Sequence, residues 1–488
     1  MGLVIRQSFF NTLSTYIGFG LGAINTLVLY TRILPVDQYG LLSLMLSAAS
    51  ILMPIFIFGL PNTLIKFYTS AMTPREAGYL QGFSLWFPLL LILPVAVGLY
   101  FFEYQISASL TQKNAFVAPY LWHILLIGVA MAYFEIAYAQ AKVALQSVWG
   151  NFLKEVSHRL FISVLLLLLY AKYIDLSFFF TSLVGAHILR ALLMHGYVLW
   201  NCNFNYYWGI PSAYKTYLQY SVYMFLGGTA AVIILEIDKL MIYSFVNLEQ
   251  VAFYTVAVFM ATIVGVPARS MYQITAPITA RLLQENDTSA LKKLYKESSL
   301  NLGMVAGGVL LLLLINLDQI YNFIPQAYGG TFLLVLLIGL SKFYDALLGN
   351  NNAILFNSPY YKKILSFGLL LAGITIVLNY LFIPSLGIEG AALASFLSLS
   401  VYNSVKLWYV WKKYDSQPFS WNTFKLLMLL LSLYLVSYFL PNFENSYLSI
   451  AFDTLSVGII YVAILYWSGI SQAFNALVGR SLKKWLHR

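Results

Sequence analysis

Apolar residues occur along this chain in runs of about twenty positions, separated by short polar stretches. A helix needs roughly 20 residues to cross the hydrocarbon core of a bilayer, so each run is long enough to span it. The pattern therefore predicts about fourteen transmembrane helices. They cover residues 8–30, 40–65, 81–102, 119–144, 159–171, 177–199, 219–245, 251–272, 299–317, 328–349, 363–383, 388–411, 422–440 and 448–468.

The order of the helices contains an internal repeat. RILPVDQYGLLSLMLSAASIL (32–52) follows the first helix, and SFVNLEQVAFYTVAVFMATIV (244–264) follows the seventh, so that Asp37 aligns with Glu249. The helices that come next end in GLP and in GVP. Both sets of six helices begin on the same side, which predicts parallel repeats related by a pseudo-two-fold axis along the membrane normal. The alternative is that any outward-facing helical hairpin gives this similarity.

The predicted fold class is an all-α integral membrane protein of two six-helix bundles and two additional C-terminal helices. We expect an N-terminal bundle over 1–215, a C-terminal bundle over 216–415, the two extra helices over 416–470 and an amphipathic cytoplasmic tail over 471–488. Two facing bundles leave a cleft at the bilayer midplane, where transporters of this design hold their substrates. The expected mechanism is alternating access.

Composition supports the bilayer as the solvent of this chain. Of its 488 residues 60% are hydrophobic and only 9% are charged, against about 25% charged in a soluble domain. The connections are short, so no soluble catalytic domain fits and an enzyme is not expected. The single cysteine, Cys202, excludes an internal disulfide. The five histidines have no metal spacing and no phosphate-binding glycine loop is present, so neither a metal nor a cofactor is expected.

The net charge of +10 is explained by topology rather than by nucleic acid. With the N-terminus inside, 24 of the 28 Lys and Arg residues fall on the inner side, and the other 4 are Arg32, Lys113, Lys172 and Lys239. This asymmetry agrees with the positive-inside rule and predicts that both termini are cytoplasmic. The segment 281–297 is predicted to form one amphipathic helix on the inner surface.

Four segments resemble a known family, the polysaccharide (O-antigen or capsule type) flippases of the multidrug/oligosaccharidyl-lipid/polysaccharide exporter superfamily. Together they span most of the chain. They are GFGLGAINTLVLYTRILPVDQYGLLSLMLSAASILMPIFIFGL (18–60), DKLMIYSFVNLEQVAFYTVAVFMA (238–261), ALKKLYKESSLN (290–301) and LNYLFIPSLGIEGAALASFLSLSVYNSVKLWYV (378–410).

The resemblance implies transfer of an undecaprenyl-diphosphate-linked oligosaccharide from the inner to the outer leaflet of a bacterial inner membrane, for lipopolysaccharide O-antigen or similar surface polysaccharide. The implied partners are this lipid-linked substrate and the bilayer, and binding of a polysaccharide polymerase or glycosyltransferases stays open. The main alternative is a proton- or sodium-coupled multidrug exporter of the same superfamily. A membrane glycosyltransferase would need acidic residues on a sizeable outer loop, and the outer loops are short.

A diphosphate moving through a bilayer needs cations around it, because desolvating an unpaired anion is costly. Arg binds phosphate through its planar fork, and Lys binds it as a point charge. The candidates for diphosphate binding are Arg32, Lys66, Lys142 and Arg269, which lie near helix ends. Lys66 and Arg269 occupy similar positions in the two repeats. The alternative is that they anchor the helices at the inner headgroups.

Acidic residues inside the predicted helices are candidates for ion coupling or gating. LEIDKLMIY (235–243) contains Glu236, Asp238 and Lys239. Glu236 and Lys239 are spaced i,i+3 and are expected to pair, whereas Asp238 lies about 200° around the helix from Glu236. Asp238 is therefore left for a partner on another helix, a cation or a proton.

For two further intramembrane carboxylates, Glu135 and Asp345, we expect different roles. Glu135, in AYFEIAYAQAK, has no local partner in the sequence and is a candidate carrier of a proton or ion, with a packing contact as the alternative. Asp345 follows Lys342 by three residues, so the expected pair is Lys342–Asp345 with a structural role.

Overall fold

The structure is a computed structural model, and the residues it describes form two compact units, Met1–Thr255 and Val256–Arg488. The described residues form helices and no β-strand, which confirms the predicted all-α class. The predicted boundaries after 215 and 415 stay predictions, and the predicted tail lies outside the described residues except for Ser471, Phe474 and Asn475. The described ranges are 2–68, 73–111, 117–202, 204–441, 443–471 and 474–475.

Within the ranges that the structure describes, the first unit contains eleven α-helices, together with two π-helical turns, Ile24–Leu29 and Leu153–Ser157, and a 3-10 turn, Ala118–Tyr120. The α-helices are α1 (Gly2–Ala23), α2 (Tyr30–Ile33), α3 (Val36–Ile57), α4 (Leu60–Phe67), α5 (Pro74–Trp86), α6 (Leu89–Thr111), α7 (Leu121–Val143), α8 (Ser147–Phe152), α9 (His158–Tyr170), α10 (Leu176–Asn201) and α11 (Tyr214–Phe245).

Helix α12 (Leu248–Thr262) contains the division between the units. The described part of the second unit continues with two 3-10 turns, Ile263–Gly265 and Gln326–Tyr328, and eight α-helices. These are α13 (Val266–Gln284), α14 (Thr288–Ile315), α15 (Leu317–Tyr321), α16 (Phe332–Leu347), α17 (Asn351–Phe356), α18 (Tyr361–Tyr414), α19 (Trp421–Ser437) and α20 (Ser446–Trp467).

The fourteen predicted segments all coincide with helical stretches, but several are interrupted. Helix α18 contains a kink at Gly387, whose φ of 59° and ψ of −134° are not helical, and the kink separates the two helices predicted at 363–383 and 388–411. The segment predicted at 40–65 is divided between α3 and α4 by Phe58 and Gly59, at φ 46° and 72°. A side chain at Gly59 would also meet the Ser221 carbonyl at 2.4 Å, so the break lets α4 approach α11 closely.

Nine helices within the described ranges are long and apolar enough to cross a membrane, and α19 is a shorter apolar helix. The number that cross, and their arrangement as two six-helix bundles, remain predictions. Large apolar side chains such as Leu90, Leu93 and Val97 on α6 are exposed, as expected for a surface that faces hydrocarbon. The chain is therefore a multi-pass membrane protein.

The segment 281–297 is not a single amphipathic helix, so that prediction was wrong. Helix α13 ends at Gln284 and α14 begins at Thr288, with Asn286 at φ 55° in the turn. The Asp287 carboxylate accepts a hydrogen bond from the Ala290 backbone N–H at 2.9 Å and caps α14. Asp is favoured at this position because it satisfies a free N–H of the first turn, and this favours a new helix here.

Candidate functional site

A cavity of about 550 Å³, lined by both polar and apolar residues, lies within the second unit, between α13, α14, α16 and α17. Its charged lining consists of Arg269, in the first turns of α13, and Lys342 and Asp345 on α16. Thr262, Thr275 and Asn352 add hydrogen-bonding groups. Of the four predicted diphosphate-binding residues, Arg269 is the one that lines this cavity.

The aliphatic stem of Lys342 lies against the 3-10 turn Ile263–Gly265. A methyl group built on Gly265 would meet Lys342 Cδ at 3.7 Å, so the small residue leaves the stem room to pass. The electrostatic neighbours of Lys342 are Asp345, which attracts it, and Arg269, which repels it. Among the described residues, neither Arg269 nor Lys342 forms an ion pair. Both cations are thus available to an anion.

The cavity wall exists because the helical path breaks between α16 and α17, in the sequence LLGNNN. Gly349 has φ 53°, a conformation that glycine adopts at no steric cost. A methyl group there would lie 2.5 Å from the Ser299 backbone nitrogen, so the break also packs closely on α14. The Ser299 hydroxyl donates to the Leu347 carbonyl at 2.5 Å, and the Asn350 backbone N–H donates to Ser298 Oγ at 3.1 Å. These bonds satisfy backbone groups that a helix break would otherwise leave unpaired in the membrane.

The ion pair of Asp345 is formed with Lys406, not with Lys342, so the predicted Lys342–Asp345 pair was wrong. Lys406 Nζ lies 3.5 Å from Asp345 Oδ1 and donates to Asn352 Oδ1 at 2.9 Å. The i,i+3 spacing on α16 brings Lys342 near Asp345, but α18 supplies a cation that sits closer to the carboxylate. Asp345 thus keeps a cationic partner that does not line the cavity.

Two aromatic side chains, Tyr272 on α13 and Phe356 on α17, also line the cavity and are exposed. An exposed aromatic ring offers an apolar face, and the neighbouring groups offer hydrogen bonds. A sugar ring, with its C–H faces and its hydroxyl groups, can use both. The sequence alone did not show which aromatic residues face a binding site. The cavity can therefore contact both an anion and a neighbouring ring-shaped polar group.

The other three predicted cations lie in the first unit. Arg32 and Lys66 are exposed in the last turns of α2 and α4, and Lys142 lies in the last turn of α7. The Lys66 ammonium is 4.0 Å from the centroid of the Tyr220 ring, and the Lys142 ammonium is 3.9 Å from that of Tyr138. Both lysines thus make cation–π contacts, worth about 0.5–2 kcal/mol. Their role in diphosphate binding stays a prediction.

Glu135 has a close partner that is distant in sequence, as in the packing-contact alternative, and its role in ion coupling stays a prediction. Lys154 Nζ lies 2.5 Å from Glu135 Oε1, joining α7 to the π-helical turn Leu153–Ser157. The residues are 19 positions apart, beyond the reach of a helical spacing rule. Ion coupling at Glu135, if it occurs, therefore has to open or share this bridge.

Further charged residues lie near this bridge, and the sequence analysis uses the basic ones only as evidence for topology. Arg159 Nη1 lies 3.0 Å from Glu155 Oε2. The buried Arg190 guanidinium stacks 4.5 Å from the Phe134 ring centroid. Arg190 is the fifteenth residue of the 26-residue helix α10. A charged residue in the middle of a predicted transmembrane helix is the sequence signal that could have identified it as a candidate functional residue.

The cluster at 236–239 forms as the spacing predicts. Lys239 Nζ lies 2.8 Å from Glu236 Oε2, which also accepts a hydrogen bond from the Ser47 hydroxyl on α3 at 2.7 Å. Asp238 is buried and accepts a hydrogen bond from the Tyr254 hydroxyl on α12. Asp238 thus has a tyrosine on another helix as a partner. A coupling or gating role for these residues remains a prediction.

Within the described part of the chain, no three His, Cys, Asp or Glu residues are placed to hold a metal ion.

Comparison with known proteins places the chain in a family. A family described as polysaccharide biosynthesis protein matches residues 4–283, which is more than half of the chain. A search of curated proteins gave no match.

Several solved structures share the fold. The lipid II flippase MurJ in an inward closed conformation has a TM-score of 0.73 at 14% identity, covering 96% of this chain and 100% of that one. An inward-facing multidrug resistance MATE family transporter of the MOP superfamily has a TM-score of 0.62 at 13% identity, covering 83% and 98%. A MOP superfamily transporter from Pyrococcus furiosus, described as having a binding pocket of reverse polarity, has a TM-score of 0.55 at 12% identity, covering 85% and 95%.

At these identities the structural matches show the fold alone, and the family match carries the assignment. The chain belongs to the polysaccharide biosynthesis protein family, and it shares its fold with the MurJ and MATE structures.

Proposed function

We propose that this chain moves an undecaprenyl-diphosphate-linked oligosaccharide from the inner to the outer leaflet of a bacterial inner membrane, by alternating access, for the synthesis of a surface polysaccharide. The observation that carries the proposal is the charge of the cavity in the second unit. Arg269 and Lys342 face it, and the one carboxylate in its wall, Asp345, is paired with Lys406. The family match supports the polysaccharide role.

The chemical requirement is a polar route for a polar head group. The diphosphate is anionic and the sugars carry many hydroxyls, so crossing hydrocarbon without partners costs several kcal/mol for each polar group. Arg269 provides a planar fork and Lys342 a point charge for the phosphates. Tyr272 and Phe356 line the same cavity, and we expect them to contact the first sugar while the polyprenyl tail stays in the bilayer.

The second candidate is a proton- or sodium-coupled exporter of cationic drugs, favoured by the structural similarity to a MATE family transporter. A site for organic cations needs a net negative lining. The cavity around Arg269 and Lys342 has the opposite charge, so we favour the anionic substrate.

A reconstitution experiment separates the two candidates. Purified protein in liposomes is given a fluorescent oligosaccharide on undecaprenyl diphosphate, or the same oligosaccharide on a neutral lipid, in one leaflet. We expect transfer of the diphosphate form and little of the neutral form. Efflux of a cationic dye driven by a proton or sodium gradient, without transfer of either lipid, would establish the exporter instead.

The proposed topology has both termini in the cytoplasm. Cys202 is buried and is first replaced by Ser, and single cysteines are then placed at two exposed positions, Tyr173 and Ser289. We expect an impermeant thiol reagent to label Tyr173→Cys in intact cells and Ser289→Cys only after permeabilisation. The reverse labelling would invert the topology, and labelling of both from outside would show that the helix count is wrong.

A further inference from the structure

Lys406 is a buried cation on the second half of α18, and it lies directly behind the wall of the cavity. Only 1% of the residue is exposed. Its ammonium lies 3.5 Å from Asp345 Oδ1, 2.9 Å from Asn352 Oδ1 and 4.4 Å from the centroid of the Tyr402 ring. Lys406 does not line the cavity, but Asp345 and Asn352 both do. Its charge therefore acts on the cavity through these two residues.

The position of Asp345 creates an electrostatic problem for an anion site. Its side chain is 45% exposed and stands beside Lys342, whose charge it attracts. A carboxylate without another partner would compete with a phosphate for Lys342 and would repel the phosphate itself. Lys406 supplies that partner from the protein side. The net charge of these groups is plus two, because it sums three cations, Arg269, Lys342 and Lys406, and one carboxylate, Asp345.

We propose that Lys406 is a positioning residue for anion recognition: it neutralises Asp345 from behind the wall, so that Lys342 and Arg269 remain available to a diphosphate. The proposal rests on the anionic substrate proposed above and adds a residue that never contacts it. A purely structural Lys406–Asp345 bridge makes a different prediction, because removal of either partner would then weaken the site in the same way.

The test measures binding of inorganic pyrophosphate to the full chain in nanodiscs made of zwitterionic lipid. The variants are Lys406→Met, Asp345→Asn and the double variant, with Lys412→Met as the control. Lys412 lies on the same helix but is exposed, with its ammonium 4.9 Å from the Trp408 ring centroid. The net charge of the four groups becomes plus one in Lys406→Met, plus three in Asp345→Asn and plus two again in the double variant.

We expect the dissociation constant to follow this charge. Lys406→Met binds pyrophosphate about tenfold more weakly than the wild type, and Asp345→Asn binds it several-fold more tightly. The double variant returns to within about twofold of the wild type, and Lys412→Met is unchanged. The comparison of Asp345→Asn with the double variant is decisive. A Lys406 that offsets Asp345 makes the double variant bind more weakly than Asp345→Asn, whereas a Lys406 without influence on the site leaves the two equal. This comparison does not need Lys406→Met, so the test stays valid if that single variant does not fold.

The outcomes separate this proposal from the function on which it rests. If the wild type binds pyrophosphate but the double variant binds it as tightly as Asp345→Asn, or Asp345→Asn binds it no more tightly than the wild type, the role of Lys406 is overturned and the anion site stands. If the wild type does not bind pyrophosphate, the anionic site falls and the role of Lys406 falls with it.

Discussion

Removing the guanidinium of Arg269 is the perturbation that most directly probes the cavity. Arg269 and Lys342 are the two cations that line it, and neither forms an ion pair in the described part of the chain. A hydrogen bond to a charged group contributes about 1.5–3 kcal/mol. At about 1.4 kcal/mol for each factor of ten, Arg269→Ala should weaken substrate binding about 10- to 100-fold. Arg269→Lys keeps the charge but loses the fork, so its loss should be smaller.

The assay is the initial rate of leaflet transfer of the fluorescent lipid-linked oligosaccharide as a function of its concentration in the bilayer. The matched control is Arg281→Ala, because Arg281 lies on the same helix, is exposed and pairs with Glu285 at 2.8 Å outside the cavity. We expect a higher half-saturating concentration for Arg269→Ala and an unchanged one for Arg281→Ala. Equal behaviour of the two variants at equal protein levels would refute the reasoning and make Arg269 a topology anchor.

Three further predictions concern other parts of the structure. Gly349→Ala should lower the free energy of unfolding by about 3 kcal/mol, because its Cβ would lie 2.5 Å from the backbone of α14. Gly330→Ala, at φ 81° in open space, should lower it by only about 1 kcal/mol. The melting temperatures in detergent measure the difference, and equal shifts in the two variants would contradict this packing. If Glu135 couples transport to an ion, Glu135→Gln should abolish the gradient dependence of transfer while Lys154→Gln retains it, and equal gradient dependence in both would assign the bridge a structural role. Tyr272→Leu should reduce oligosaccharide transfer about fivefold and leave pyrophosphate binding unchanged, and Tyr272→Phe should retain transfer. A loss of pyrophosphate binding in Tyr272→Leu would show that the ring shapes the cation site instead.

The sequence predicts the helices well because their signal is local. A run of about twenty apolar residues has few alternatives to a helix in a bilayer, since every backbone polar group must be satisfied within the segment. The pair Glu236–Lys239 was also predictable, because both residues lie on one helix at a fixed spacing. Gly387, which divides α18, falls between two predicted helices because the two apolar runs on either side of it are each recognisable in the local sequence.

The charge partners that cross between helices could not be predicted in this way. Glu135 meets Lys154, and Asp345 meets Lys406, only because separate helices pack side by side. The i,i+3 spacing predicts Lys342 as the partner of Asp345, but Lys406 on α18 forms the ion pair instead. The turn at Gly349 is similar, because its close approach to α14 depends on tertiary packing that the run of asparagines does not encode.

The candidate site was therefore foreseen in part. Arg269 was identified from its chemistry and its place in the repeat, and it lines the cavity. The contributions of Lys342, Lys406, Tyr272 and Phe356 required the structure. A basic residue at a helix end looks the same in sequence whether it faces headgroups or a cavity.

The most direct test of the central claim is an experimental structure of the full chain in nanodiscs with an undecaprenyl-diphosphate oligosaccharide bound. The account predicts phosphate density within hydrogen-bonding distance of both Arg269 and Lys342, with the first sugar against Tyr272 or Phe356. Phosphate density bound elsewhere on the chain, with this cavity empty, would contradict it.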